Sequence, residues 1–315
     1  MLDNISNDKM SRINRVIKTL IKASTPKPVL CALMRAHARL ACVRARRIFK
    51  RAREMPIWLQ RDVLETLQQK YSQPPNYSYD PRALERRGNE RASEIVRLVQ
   101  AQRSNAKSFL ELGCWDGMVS CALQRMRKRA TAIDIDPGAF DERAVQAGVR
   151  LLQMDAAHLQ FEDDSFDFVF SYGSFEHFAD PEAVLKEAIR VVRKNGHVYL
   201  SFGPLYMSPY GLHVYRNITV PYCHFLFPED LLEEFVKEKG CGAMRSISVN
   251  RWSLQDFREL WSRYSERLTK VLYYEFPKVS HVNLIIKYPS CFRSKTKDFG
   301  SLIVSDIEVL FRKIQ

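Results

Sequence analysis

The chain has 315 residues, 46% hydrophobic and 27% charged, a globular composition that excludes a disordered or collagen-like polymer. Mean hydropathy is −0.30 and no run of about 18 apolar residues occurs, so no transmembrane helix is expected. The net charge of +13 is uneven: residues 1–55 carry 14 Lys/Arg against 3 Asp/Glu, while the other 260 carry 35 against 33. The first ten residues hold acids and no apolar core, so no secretory signal is expected. Seven cysteines, odd in number and without a C-x-x-C pair, argue against a zinc cluster or disulfide framework. A reducing, cytoplasmic setting is the expectation.

Residues 1–75 read as a basic helical arm and residues 76–315 as the main domain. Within the arm, 28–55 wind as an amphipathic helix. Leu30, Met34, Ala38, Ala41, Ala45, Ile48 and Phe49 fall on one side, and Arg35, Arg39, Arg44, Arg46, Arg47, Lys50, Arg51 and Arg53 mainly on the other. Such a helix can dock on the protein's own body, lie on an anionic membrane surface, bind RNA or serve as a transit sequence. The Pro/Ser/Asn-rich stretch 72–81 breaks the chain before a helix at 82–103.

From residue 108 strands and helices alternate. Strands are expected at 108–112, 130–134, 149–154, 167–172 and 197–202, with helices at 118–128, 137–147 and 181–193. Asp180 before Pro181 is a good helix start. The expected fold class is α/β, a doubly wound, mostly parallel sheet. The C-terminal part reads as strand 242–250, helix 254–268 and strands 281–288 and 306–313. Trp252, Trp261, Tyr264, Tyr273 and Tyr274 read as packing.

The chemistry gathers after the first strand, in Phe109-Leu110-Glu111-Leu112-Gly113-Cys114-Trp115-Asp116-Gly117. Open parallel sheets bind ligands at the carboxyl ends of their strands, where a tight glycine turn exposes backbone N–H groups. Asp134 ends the second strand, positioned for ribose hydroxyls, and Asp155-Ala156 follows the third. The loop lacks the G-x-G-x-x-G of a dinucleotide site and no G-x-x-x-x-G-K-[ST] occurs. Glu111 before the turn suits a cofactor bearing an ammonium group.

These stretches, with FEDDSFDFVFSYGSFEHFADPEAVLKEAIRVVRKNGHVYLSF, resemble the class I S-adenosylmethionine-dependent methyltransferases over about residues 90–202. The resemblance implies a Rossmann-like methyltransferase fold of seven strands closed by an antiparallel strand, and S-adenosylmethionine as cofactor. It places Glu111, Gly113 and Gly117 at the methionine end, Asp134 on the ribose, and Asp155 and Ala156 on the adenine. Cys114, Trp115, Ile135 and Tyr172 complete the expected cofactor set. Trp115 stands where the family has its middle glycine.

A hydroxyl acceptor calls for a nearby base, most often histidine. His177, His213 and His224 all lie downstream of the fourth strand and are the catalytic candidates. The Tyr/Pro/His-rich segment 203–228 suits a sugar or another ring-bearing acceptor. Its Gly211, His213 and Tyr215, then Pro221, Tyr222, His224, Leu226 and Phe227, resemble methyltransferases of bacterial glycan and glycolipid pathways. The expectation is O-methylation of a sugar, glycan or glycolipid hydroxyl. The alternatives are RNA or a small metabolite as acceptor, or a cofactor-binding scaffold without turnover. Nucleic acid is disfavoured by the nearly neutral catalytic half and by Ser171-Tyr172-Gly173-Ser174 in place of an Asn/Asp-Pro-Pro-aromatic stretch.

Overall fold

The computed structural model describes residues 26–74, 78–240 and 249–315. These build a seven-stranded sheet in the order β3-β2-β1-β4-β5-β7-β6. β1 (Ser108–Leu112), β2 (Arg129–Asp134), β3 (Arg150–Gln153), β4 (Phe166–Tyr172) and β5 (Val192–Phe202) run parallel. β7 (Val304–Lys313) lies antiparallel between β5 and β6 (Leu268–Pro277). A parallel strand covered on both faces reads as a continuous apolar run, and every residue of β4 is buried. Its one acid, Asp167, accepts the N–H groups of Lys107 at 2.6 Å and Ser108 at 3.1 Å, tying the start of β4 to the start of β1.

The arm forms α1 (Lys27–Ala41) and α2 (Val43–Arg51), interrupted at Cys42, and is followed by α3 (Arg61–Lys70). α4 (Pro81–Ala101) starts on Asp80, whose carboxylate accepts the N–H groups of Arg82 and Ala83. α5 (Met118–Arg125), α6 (Glu142–Gln146) and α7 (Pro181–Val191) fill the crossovers. The remaining helices are α8 (Cys223–Leu226), α9 (Glu229–Glu238), α10 (Leu254–Arg263), α11 (Val282–Lys287), α12 (Pro289–Arg293) and α13 (Phe299–Ile303).

Three expectations are corrected. The helix at 137–147 is a 3-10 turn at Pro137–Ala139 followed by α6, because Asp136 and Asp141 each cap a separate start. The run at 281–288 is helical (α11), and the edge strand is β6, whose mixed burial hid its period. The helix from 254 stops at Arg263, ahead of β6. The strand expected at 242–250 falls mostly on 241–248, outside the described residues. Trp261 and Tyr264 are buried, as packing residues should be.

The arm docks on the body. Cys42, Ala45 and Phe49 join Leu64 and Leu67 in one apolar cluster with Leu212, Ile218, Tyr222 and Phe225 of the 203–228 segment. At its start, the Lys27 ammonium donates to Glu94 and to buried Glu308, both at 2.6 Å, clamping the arm to α4 and β7. The docked side matches the expected apolar side at Ala38, Ala45 and Phe49, whereas Ala41 is exposed.

His197 on β5 is buried over Phe168, its ring nitrogens without partners among the described residues, and burial lowers its pKa to about 4. The unfolded chain takes up this proton near pH 6.5 and the folded chain only near 4. Stability therefore falls as pH drops through that window, by up to roughly 3 kcal/mol. Replacing His197 by Phe is expected to flatten this part of the acid loss, read as urea midpoints at pH 7.5 and 4.5 for both proteins.

Candidate functional site

After β1 the chain turns through three left-handed residues, Gly113 (φ 67°), Trp115 (φ 53°) and Gly117 (φ 73°). A Cβ on Gly113 would stand 2.6 Å from the Ser174 Cβ, and one on Gly117 2.8 Å from a Leu151 methyl, so space as well as φ demands glycine. Trp115 tolerates the turn at a cost of about 1–2 kcal/mol because its side chain, 52% exposed, leaves the packed side free. The loop is held from both neighbouring strands. Trp115 N–H donates to Asp134 Oδ2 at 2.7 Å, and Ser174 Oγ donates to the Gly113 carbonyl at 2.7 Å.

Asp134 also accepts the Asp136 N–H at 3.1 Å, yet a carboxylate offers about four acceptor positions, so a diol can still bind. Ile135 beside it is 71% exposed, an apolar platform at the end of β2. Asp155 accepts the Ala157 N–H and pairs with His158 Nδ1 at 2.9 Å, which holds its carboxyl low, while Ala156 is buried in the main core.

Some expected residues face elsewhere. Glu111 is fully enclosed, accepting the Ser120 hydroxyl at 2.6 Å and N–H at 3.2 Å. Burial pushes its pKa up to about 8, and its bonds to Ser120 brace β1 against α5. Tyr172 donates to Glu94 at 3.0 Å with the Arg91 guanidinium 4.9 Å over its ring, so its side chain belongs to the α4 interface. The Cys114 thiol is buried and its pKa is raised by that burial. Arg91 was not singled out from sequence, yet its charge acts on Glu111, Asp116 and Glu176 together. The available signal was Arg87 and Arg91, one turn apart on the helix preceding the glycine loop.

Downstream of β4 and β5, His177 and His213 come together edge to face, ring centres 4.8 Å apart. His213 Nε2–H donates to the Pro204 carbonyl at 2.8 Å, and burial lowers the His213 pKa to about 4. Glu176, also missed from sequence, is buried beside them; its Oε1 accepts the Gly203 N–H at 3.1 Å, and burial raises its pKa to about 8. His224 is not part of this pair. Its ring packs against Tyr206 and Phe225, each at 4.8 Å, and burial depresses its pKa to about 3. Tyr222 is likewise core, donating to the Leu302 carbonyl at 2.7 Å. His281 bonds Tyr210 through Nε2 at 3.2 Å. An open concavity lies elsewhere, along α4 among Arg82, Arg86, Asn89 and Arg97.

Residues 110–200 match the family model described as "Methyltransferase domain". The matched stretch carries the glycine loop, β2, β3, β4 and most of β5. The chain is 30% identical over 127 residues to 2-methyl-6-phytyl-1,4-hydroquinone methyltransferase 2 of Oryza sativa subsp. japonica, covering 39% of this chain and 34% of that protein. A ubiquinone biosynthesis O-methyltransferase of Aeromonas salmonicida is 34% identical over 137 residues, 36% of this chain and 58% of the relative. A probable S-adenosylmethionine-dependent methyltransferase of Mycobacterium tuberculosis is 29% identical over 112 residues, 35% and 41% of the two chains. The chain thus spans about a third to three-fifths of these curated relatives. Among solved structures, a Pyrococcus horikoshii protein is similar with a TM-score of 0.48 and 18% identity, covering 76% of this chain and 96% of that one.

The cofactor of this domain type is S-adenosylmethionine. The residues present fit it: a turn kept free of Cβ atoms at Gly113 and Gly117, an acidic end of β2 and an exposed apolar Ile135. Asp134→Ala is expected to weaken S-adenosylmethionine binding at least ~10-fold by calorimetry, the loss of a charge-assisted hydrogen-bond pair. Trp115→Gly should retain binding and gain about 1 kcal/mol of stability in urea.

Proposed function

We propose that this protein is an S-adenosylmethionine-dependent methyltransferase that O-methylates a ring-borne hydroxyl of a sugar, glycan or glycolipid. The observation that carries the reading is the His177–His213 pair, of which His177 lies three residues beyond Ser174, itself bonded to the glycine loop. That bond couples the acceptor side to the cofactor side. When bound, the cofactor supplies an electrophilic methyl group on a sulfonium. Transfer by in-line displacement asks the protein mainly for alignment, and a hydroxyl acceptor additionally needs a partner for its proton. His213 is uncharged at neutral pH and able to serve. Asp134 would hold a pair of hydroxyls, and the Arg91 charge, which acts on Glu111, Asp116 and Glu176, would favour a carboxylate nearby. Tyr210, Tyr215 and His281 gather aromatic rings in one place, which suits a ring-bearing acceptor.

The relatives named for ubiquinone and a hydroquinone favour a second acceptor, a quinol ring on a lipid. A radiolabelled methyl-transfer screen over glycolipids, free sugars and quinols distinguishes the two. His177→Ala and His213→Ala are expected to lower turnover ~10²-fold or more with cofactor affinity kept. Cofactor binding without transfer to any hydroxyl acceptor would overturn the reading.

Both acceptor classes include membrane-borne molecules, and the arm supports a peripheral, anionic membrane contact on the cytoplasmic side. Cysteines 31, 42, 114, 121, 223 and 291 are free and buried, as suits a reducing compartment. Opposite the docked face, Val29, Leu33, Leu40 and Val43 are 50–78% exposed in one stripe flanked by Arg35, Arg39, Arg44 and Arg47. Among the described residues, no helix is long and apolar enough to cross a membrane. The protein should sediment with phosphatidylserine vesicles and not with phosphatidylcholine alone, each basic residue at the surface adding about 1 kcal/mol. Leu33→Glu with Leu40→Glu should abolish sedimentation, and equal sedimentation by this variant would exclude the stripe.

A further inference from the structure

Glu176, His177 and His213 each bring a ligating atom to one place, all within 4.8 Å of one another. Two features of this cluster point to an ion. Glu176 is 3% exposed, and its Oε2 has no hydrogen-bond partner, an arrangement costly for a buried carboxyl group unless something charged completes it. His213 donates Nε2–H to the Pro204 carbonyl, so its lone pair sits on Nδ1. A ring nitrogen that donates to a backbone carbonyl, leaving the lone pair on the other, is the usual outer-shell arrangement of a metal-binding histidine. The Asp306 carboxylate adds negative charge near Glu176, against which Arg91 acts.

We propose that Glu176, His177 and His213 form a binding site for one divalent transition-metal ion. Two imidazoles and one carboxylate suit Zn²⁺ or Mn²⁺ and not Mg²⁺ or Ca²⁺, which prefer all-oxygen shells. Bonds of about 2.1 Å place tetrahedral ligand atoms about 3.4 Å apart, so no pair of ligand atoms has to close by more than about 1.4 Å on loading. Three protein ligands leave coordination positions open to an oxygen, and with Nδ1 on the ion His213 would help to hold that oxygen's site instead of accepting its proton. The site deepens the methyl-transfer reading, and rests on it only for the identity of that oxygen as the acceptor hydroxyl. Ion binding itself stands on the three side chains.

The test is calorimetric titration of Zn²⁺, Mn²⁺ and Mg²⁺ into the full chain after dialysis against EDTA, with a parallel titration of S-adenosylmethionine. One equivalent of Zn²⁺ or Mn²⁺ should bind, and Glu176→Gln should weaken it 10–100-fold. Asp134→Ala should leave ion affinity unchanged while lowering cofactor affinity. If Glu176→Gln fails to fold by circular dichroism, His177→Asn at the half-buried ring makes the same comparison. Folded protein that takes up no ion, or equal ion affinity in the wild type and these variants, would overturn the site. Ion uptake without cofactor binding would support the site and count against the methyltransferase reading alone.

Discussion

The glycine loop after β1 is held by two hydrogen bonds from opposite sides, Asp134 at the end of β2 accepting from Trp115 and Ser174 beyond β4 donating to Gly113. This arrangement exists only because β1 lies between β2 and β4 in the sheet. The strand order therefore brings three separate segments to one edge, and the turn between them has room for no Cβ at Gly113 or Gly117. The glycine loop and the segment after β4 that carries Glu176 and His177 are consequently parts of one hydrogen-bonded unit, and a shift of Ser174 reaches both.

Buried polar groups divide by whether they have partners. Asp167, Glu111 and Glu308 are each met by donors, and each joins two elements: β4 to β1, β1 to α5, and β7 to the arm. Partnered in this way, a buried acid is a structural tie. Glu176 is different, since one of its oxygens has no donor and two imidazoles stand beside it. His224 is different again, enclosed by aromatic rings within the cluster that joins the arm to the 203–228 segment. Three histidines that looked equivalent in sequence thus have two environments.

That shared cluster also accounts for the two faces of the arm. Burial of Cys31, Ala38, Cys42, Ala45 and Phe49 uses one side of α1 and α2, and the Lys27 clamp sets where the helix begins. What remains outside is a mixed face of Arg and aliphatic side chains, which a simple two-sided wheel of the sequence does not show.

The five parallel strands, their crossover helices and the glycine loop were legible in the sequence, because each is announced locally by buried apolar runs, Asp and Pro helix starts and glycines at forced turns. The position of Asp134 at the end of a strand followed from the same local logic. The edge strand β6 was not legible: half exposed, it carries no clean alternation, and α11 was mistaken for a strand because a short apolar run has no distinguishing period. Which way a side chain turns is likewise not local. Only the tertiary structure decided that Glu111 and Tyr172 face inward, that His224 belongs to the core, and that Glu176 and His177 meet His213. Those outcomes depend on contacts between segments far apart in the chain, whose closure no residue pattern within one segment can specify.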